Sequence, residues 1–183
     1  MCALTLPIVV IVAAIVKASS PTNPAFYQQL RTGQDGRRFR IWKLRTMAPD
    51  ADDRRSELAH LNSRTWPDFK IANDPRVTRV GRVLRATSVD ELPQLWSVLS
   101  GAMSLVGPRP TSMAPDRYAE WHRARLAVPP GVTGLWQVVA RDDPSFDRRV
   151  RLDLEYAARR SLLLDLEILC RTVPSVLRFR GVR

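Results

Sequence analysis

Residues 3–16, ALTLPIVVIVAAIV, carry no charge and a single hydroxyl, and Lys17 closes the run. As a helix this segment reaches about 21 Å, short of the ~30 Å hydrocarbon core of a bilayer. It is too short to read as a membrane span. A signal peptide needs a basic stretch ahead of its apolar run, and here the nearby cation, Lys17, comes after it. Two readings stay open: a helix buried in a protein core, and a re-entrant or interfacial segment that leaves the bilayer on the side it entered. Pro7 favours the second, because proline bends a helix that must turn back.

Beyond Lys17, the chain of 183 residues, 45% hydrophobic, suits one domain with a real core. Its 29 Lys and Arg against 18 Asp and Glu give a net charge of +11, and most of the cations are arginine. That balance points to a polyanionic partner: nucleic acid, an acidic membrane surface or phosphorylated small molecules. Cys2 and Cys170 lie at opposite ends, and His60 and His122 stand alone, so zinc and disulfide readings lack a ligand pattern. Both histidines read as surface or packing residues. No Walker loop and no G-x-G-x-x-G supports nucleotide binding in those modes. Towards the C-terminus, residues 145–183 set Leu152, Leu154, Tyr156, Leu162, Leu163, Leu166, Leu169 and Val173 among many arginines. This is helical patterning with a basic face, suited equally to a core contact or an anionic membrane interface.

The middle of the chain holds the polar chemistry. TGQDG reads as a turn, and RRFRIWKLRTM after it as a strand with Phe39, Ile41, Lys43, Arg45 and Met47 on one face. The next stretch, APDADDRRSELAHLNSR, starts with acids and continues with helix formers, which predicts a helix. In RATSVDELPQLW, residues 85–96, Asp90 and Glu91 stand side by side at a helix start. Asp90 is placed at or near the N-cap, and Ser88 with Glu91 fits a capping box. Arg109, set between two prolines in GPRP, sits on a stiffened loop that suits a bidentate phosphate contact. PPGVTGLWQVVARDDPSF is a turn-rich loop whose Trp136 and Gln137 suit the wall of a base or sugar pocket.

Consecutive carboxylates are poorly placed to flank one sugar ring from opposite sides, as glycosidases require. They do suit a metal and a nucleophile. A hard Mg²⁺ takes carboxylate and phosphate oxygens, and a neighbouring Asp can attack phosphorus to form an acyl phosphate. Arg85 and Arg109 would then neutralise the transferred group.

These segments together resemble the bacterial sugar transferases, the monotopic phosphoglycosyl transferases. The similarity runs through FYQQLRTG, FRIWKLRTM, DPRVTRVGRVLRATSVDELPQLWSVLSGAMSLVGPRP, PGVTGLWQV and LDLEYAARRSLLLDLEIL. It implies an enzyme that moves a sugar 1-phosphate from a UDP-sugar to a polyprenyl phosphate of the undecaprenyl type, releasing UMP with the help of Mg²⁺. Such a step starts the assembly of exopolysaccharide, capsule, O-antigen or a glycoconjugate, upstream of further glycosyltransferases. By the family's pattern Asp90 is the nucleophile, Glu91 holds Mg²⁺, Arg85 and Arg109 bind phosphate, and Lys43 and Arg45 match its basic strand motif.

The implied fold is α+β, mainly helical with a small β-sheet. Residues 1–20 would form a membrane-inserted re-entrant helix and residues 21–183 a catalytic domain on the cytoplasmic face of the bacterial inner membrane, in contact with lipid. The chain departs from the pattern in three places. It starts six residues before Pro7, with Leu6 where the family has Ser, which implies a shortened re-entrant helix. Ala102 replaces an Asp, predicting weaker metal or supporting organisation, and Ala140 replaces a Gly, predicting an altered tight turn. Two other classes of function fit part of the sequence. A basic nucleic-acid-binding module would need aromatic residues interleaved with Arg on one face, and none is clear. A degenerate family member acting as a scaffold would bind membrane and partners without releasing UMP.

Overall fold

The computed structural model describes residues 2–64 and 67–177. Helix α1 (Cys2–Ser19) is one uninterrupted helix with Pro7 in its second turn. Val9 and Val16 are buried, whereas Leu6, Ile8, Val10, Ile11 and Ile15 are exposed. Its inner side, through Val16, Val12 and Ala13, packs on Leu44 and Leu84. Lys17 ends the helix by donating to the carbonyls of Pro21 (2.7 Å) and Asn23 (3.1 Å), which turns the chain towards the first strand. Among the described residues no helix is long and apolar enough to cross a membrane.

Strands β1 (Phe26–Thr32) and β2 (Arg38–Leu44) form an antiparallel hairpin, with Phe26 opposite Leu44 and Thr32 opposite Arg38. The TGQDG turn closes it as expected, with Asp35 and Gly36 at positive φ. The second strand stops at Leu44, three residues before the predicted end. Arg45 still donates its N–H to Ala25, but Met47 leaves the hairpin to bridge Val77. The helix predicted after it is also not formed. Short 3₁₀ turns at Asp53–Arg55 and Ala59–Leu61 stand in its place. Only Ala51 of this stretch is buried and Leu61 is exposed, so no apolar stripe is available to hold a helix against the body.

Helix α2 (Arg79–Thr87) is capped by Thr78, whose side chain accepts from the Gly81 N–H at 2.9 Å. It ends at Ser88, in the left-handed region at φ 56°, which hands the chain directly to a 3₁₀ turn, Val89–Gln94, and then to α3 (Leu95–Leu99). Strand β3 (Ser104–Val106) pairs in parallel with β4 (Gly131–Thr133). The two backbones come so close that a Cβ on Gly131 would lie 2.1 Å from the Gly107 nitrogen. Between them lie the GPRP loop and the short α4 (Glu120–Arg123), and after them α5 (Leu135–Val139).

The C-terminal region is two helices. Helix α6 (Phe146–Arg159), N-capped by Ser145, buries Phe146, Val150 and Tyr156. Helix α7 (Leu162–Leu177) buries Ile168 against Val106 and Tyr156 but exposes Leu162, Leu163, Leu166 and Val173. The first helix thus follows the core reading of this segment, while the second has apolar residues left over. The segment's last residues, 178–183, lie outside those described. The architecture is α+β as expected, the strands among the described residues being divided between two two-stranded sheets.

Candidate active site

Cross-strand partners of a hairpin share a face. The register of β1 and β2 therefore puts Tyr27, Gln29 and Arg31 on the side that also carries Ile41 and Lys43. This face forms one wall of a cavity of about 1050 Å³, completed by Arg85, Asp90, Glu91 and Arg109.

The acid pair does not cap a helix. Ser88 terminates α2, and its side chain makes no capping hydrogen bond to the 3₁₀ turn. Asp90 and Glu91 are the second and third residues of that turn, so the expected capping box is absent and Glu91 is free to reach across the cavity. Lys43 Nζ donates to Glu91 Oε1 at 2.8 Å. The Arg109 guanidinium grips the same carboxylate with both ends, Nη1 reaching Oε2 at 3.0 Å and Nη2 reaching Oε1. Burial alone would push Glu91 up, but the Arg109 and Lys43 charges override it and hold the group well below the usual range.

Asp90 behaves in the opposite way. It is 8% exposed, and among the described residues no side chain hydrogen-bonds its carboxylate. Burial, and then the charge of Glu91, push it up to about 6 against the pull of Lys43, Arg85 and Arg109. One acid is thus already neutralised, and its neighbour is left poised near neutrality.

Arg85 is in the last turn of α2, where Thr46 holds it by accepting from Nε at 2.9 Å. Thr46 also fixes the start of that helix, because its carbonyl accepts the Thr78 N–H at 3.0 Å. Gly81 is essential to this approach, since a Cβ there would lie 2.0 Å from the Thr46 oxygen. Arg45, expected beside Lys43, lines the cavity but does not join the acid pair. Its Nε donates to Pro24 and its guanidinium covers the Tyr27 ring, because the strand ends one residue before it.

The loop carrying Arg109 is held from two sides. Thr32 at the end of β1 donates its N–H to Thr111 and its hydroxyl to the Met113 carbonyl, while Arg31 donates to Pro110. From the far side Arg125 donates to the Arg109 carbonyl at 2.8 Å. Arg125 is in turn fixed by Asp153 of α6 at 2.6 Å, and both side chains are almost completely buried. Sequence reasoning missed Arg31, Arg125 and Asp153. The hairpin register would have revealed the first, but the Arg125–Asp153 pair has no local signal.

Trp136 and Gln137 line the cavity as expected, and the Arg149 guanidinium lies 5.1 Å above the Trp136 ring. His122 is a packing residue: it is buried against Phe146 and meets Asp147. Ala102 is exposed and does not line the cavity, and Ala140 adopts φ −138°, which needs no glycine. Neither residue lines the cavity.

A cavity that sets two adjacent acids among several lysine and arginine side chains, close to helices with exposed apolar residues, suits phosphate-bearing ligands. The chain belongs to the bacterial sugar transferase family, whose model matches residues 1–179. The undecaprenyl-phosphate galactose phosphotransferase of Salmonella typhimurium is 43% identical over 170 residues, covering 90% of this chain and 36% of the relative. The UDP-glucose:undecaprenyl-phosphate glucose-1-phosphate transferase of Caulobacter vibrioides is 42% identical over 186 residues, covering 96% and 64%. The exopolysaccharide production protein ExoY of Rhizobium meliloti is 40% identical over 182 residues, covering 96% and 79%. The chain spans little more than a third of the length of the Salmonella relative and of other curated relatives that it matches.

Proposed function

We propose that this chain transfers a sugar 1-phosphate from a UDP-sugar to a polyprenyl phosphate at the cytoplasmic face of the bacterial inner membrane, through a covalent intermediate on Asp90. The observation that carries the reading is the contrast within the acid pair. Glu91 is committed to Lys43 and Arg109, whereas the Asp90 carboxylate has no hydrogen-bonding partner among the described residues and lines the same cavity.

In the first half-reaction an Asp90 oxygen attacks the phosphorus next to the sugar. The phosphoanhydride bond breaks and UMP leaves with its electron pair. In the second, a phosphate oxygen of the polyprenyl phosphate attacks the acyl phosphate and releases the Asp90 carboxylate, giving polyprenyl diphosphate-sugar. Arg85 and Arg109 offset charge on the phosphoryl oxygens, and Lys43 keeps Glu91 oriented. The names of the Salmonella and Caulobacter relatives support the substrate classes. The exposed apolar residues of α1 and α7 support a seat in the membrane surface, where a lipid phosphate is presented.

Mg²⁺ fits this donor set. It binds through one or two carboxylates and completes its shell with phosphate and water, so no third protein acid is required. Glu91 would hold it, giving up part of its contact with Lys43 or Arg109, and the bound ion would neutralise phosphate charge. The deciding experiment is UMP release from a panel of UDP-sugars by the membrane-reconstituted protein with polyprenyl phosphate and Mg²⁺. Release that is absent in Asp90→Asn, together with loss of labelling by radioactive sugar phosphate, supports the reading. Full turnover in that variant removes it.

A further inference from the structure

Arg31 has an electrostatic position that the scheme above leaves without a purpose. It lines the cavity from β1, next to Arg109. One guanidinium nitrogen donates to the Pro110 carbonyl at 3.2 Å and another to the Gln29 side chain. Both acceptors are neutral, and Nε is buried with no partner among the described residues. Burial, and then the neighbouring Arg109 charge, pull this guanidinium down to about 10, so it stays cationic at neutral pH. Glu91 and Asp68 offset it only from a distance, because the first is bonded to Lys43 and Arg109 and the second to Arg149. Arg31 and Arg109 therefore face the same cavity side by side, and only Arg109 of the two has a carboxylate bonded to it. A buried charge without an ionic partner is costly unless a ligand supplies the counter-charge.

We propose that Arg31 is a substrate-binding residue that, together with Arg109, clamps a phosphate group in the cavity. The contact to Pro110 gives it a defined geometry, since it ties Arg31 to the same loop that carries Arg109. Sequence position supports the pairing: β1 delivers Arg31 and, one residue later, Thr32, which pins that loop at Thr111 and Met113. The phosphate belongs either to the nucleotide donor or to the lipid acceptor. The inference rests on the reading of this cavity as a phosphate site and is independent of whether turnover occurs.

The test compares the full chain in detergent with Arg31→Gln and Arg31→Lys. Binding of UMP and of inorganic pyrophosphate is followed by calorimetry, and KM is measured separately for UDP-sugar and polyprenyl phosphate. Loss of one charged hydrogen-bonding partner predicts about 10- to 100-fold weaker binding in Arg31→Gln. Arg31→Lys, which keeps the charge, regains part of it. A rise in KM for the UDP-sugar alone assigns the clamp to the donor, and a rise for the polyprenyl phosphate alone assigns it to the acceptor. If Arg31→Gln fails to fold, judged by its melting curve, Arg31→Lys alone decides: affinity and both KM values within twofold of wild type overturn the proposal. Equal affinities in a folded Arg31→Gln do the same, as does a wild-type protein that binds neither UMP nor pyrophosphate. Binding lost in the variant by a wild-type protein that turns over no UDP-sugar would leave this inference standing and remove the proposed function instead.

Discussion

Asp90 and Glu91 are consecutive in the chain and opposite in their electrostatics: Glu91 is locked to two cations, and Asp90 is buried beside it without a hydrogen-bonding side chain among the described residues. The 3₁₀ geometry produces this division by directing one carboxylate across to β2 and the Arg109 loop while leaving the other near the foot of α2. A raised carboxylate opposes folding once it ionises, and a depressed one supports it.

The first prediction concerns stability and pH. The contribution of Asp90 is complete below its ordinary value of 3.8 and is lost as pH rises through about 6. Asp90→Asn removes that loss, so at pH 8 the variant should be more stable than wild type by on the order of 3 kcal/mol, from about 1.4 kcal/mol per pKa unit. Below pH 4 the gain should vanish. Glu91 has the opposite sign: its support is present above its ordinary 4.5 and disappears as pH falls through its depressed value. Denaturant melts in metal-free detergent at pH 4, 6 and 8 check both.

The same shift predicts a rate profile. A nucleophile must be ionised, so kcat/KM for the UDP-sugar should rise tenfold per pH unit below about 6 and level off above it. A profile flat from pH 5 to 8 would remove Asp90 from the chemical step.

The buried pair behind Arg109 gives a third prediction. Asp153→Ala strands the Arg125 guanidinium in a site where the two side chains are 3% and 1% exposed. The expected cost is about 3 to 5 kcal/mol, and replacing both partners with apolar residues of similar size should cost much less. Chemical denaturation of the single and double variants measures the difference.

Helix α2 offers a fourth. In Gly81→Ala the new methyl would meet the Thr46 carbonyl oxygen at 2.0 Å, against backbone that cannot swing aside. Displacement of α2 should cost at least the ~1–3 kcal/mol typical of overpacking and move Arg85 away from Asp90. A lowered melting temperature together with reduced kcat is the expected pair of readouts.

What the sequence revealed and what it concealed divide along the range of the interactions. The hairpin turn, the acid pair and the proline-flanked Arg109 are local patterns, and each was readable. The capping box was misread because Ser88 fits two roles: a left-handed residue ending one helix and a side-chain cap starting the next look alike in one dimension. Arg45 lies on the Lys43 side as alternation expects, over the Tyr27 ring, but Met47, placed on the same face, leaves the hairpin to bridge Val77. The helix expected after Met47 had suitable residues but no apolar stripe to anchor it. Arg125 and Asp153, 28 residues apart and on different elements, meet only because the tertiary fold brings them together. The union of Lys43 with Glu91 is likewise long-range, and the resemblance to a family marked Lys43 only as part of a basic strand that binds substrate phosphate.

Thr46 spends its carbonyl on the start of α2 and its hydroxyl on the arginine at that helix's far end. The hairpin and α2 are consequently geared rather than hinged. A ligand that draws the Lys43 and Arg31 face of the hairpin inwards would turn the helix with it, carrying Arg85 towards the same phosphate without a separate closing movement.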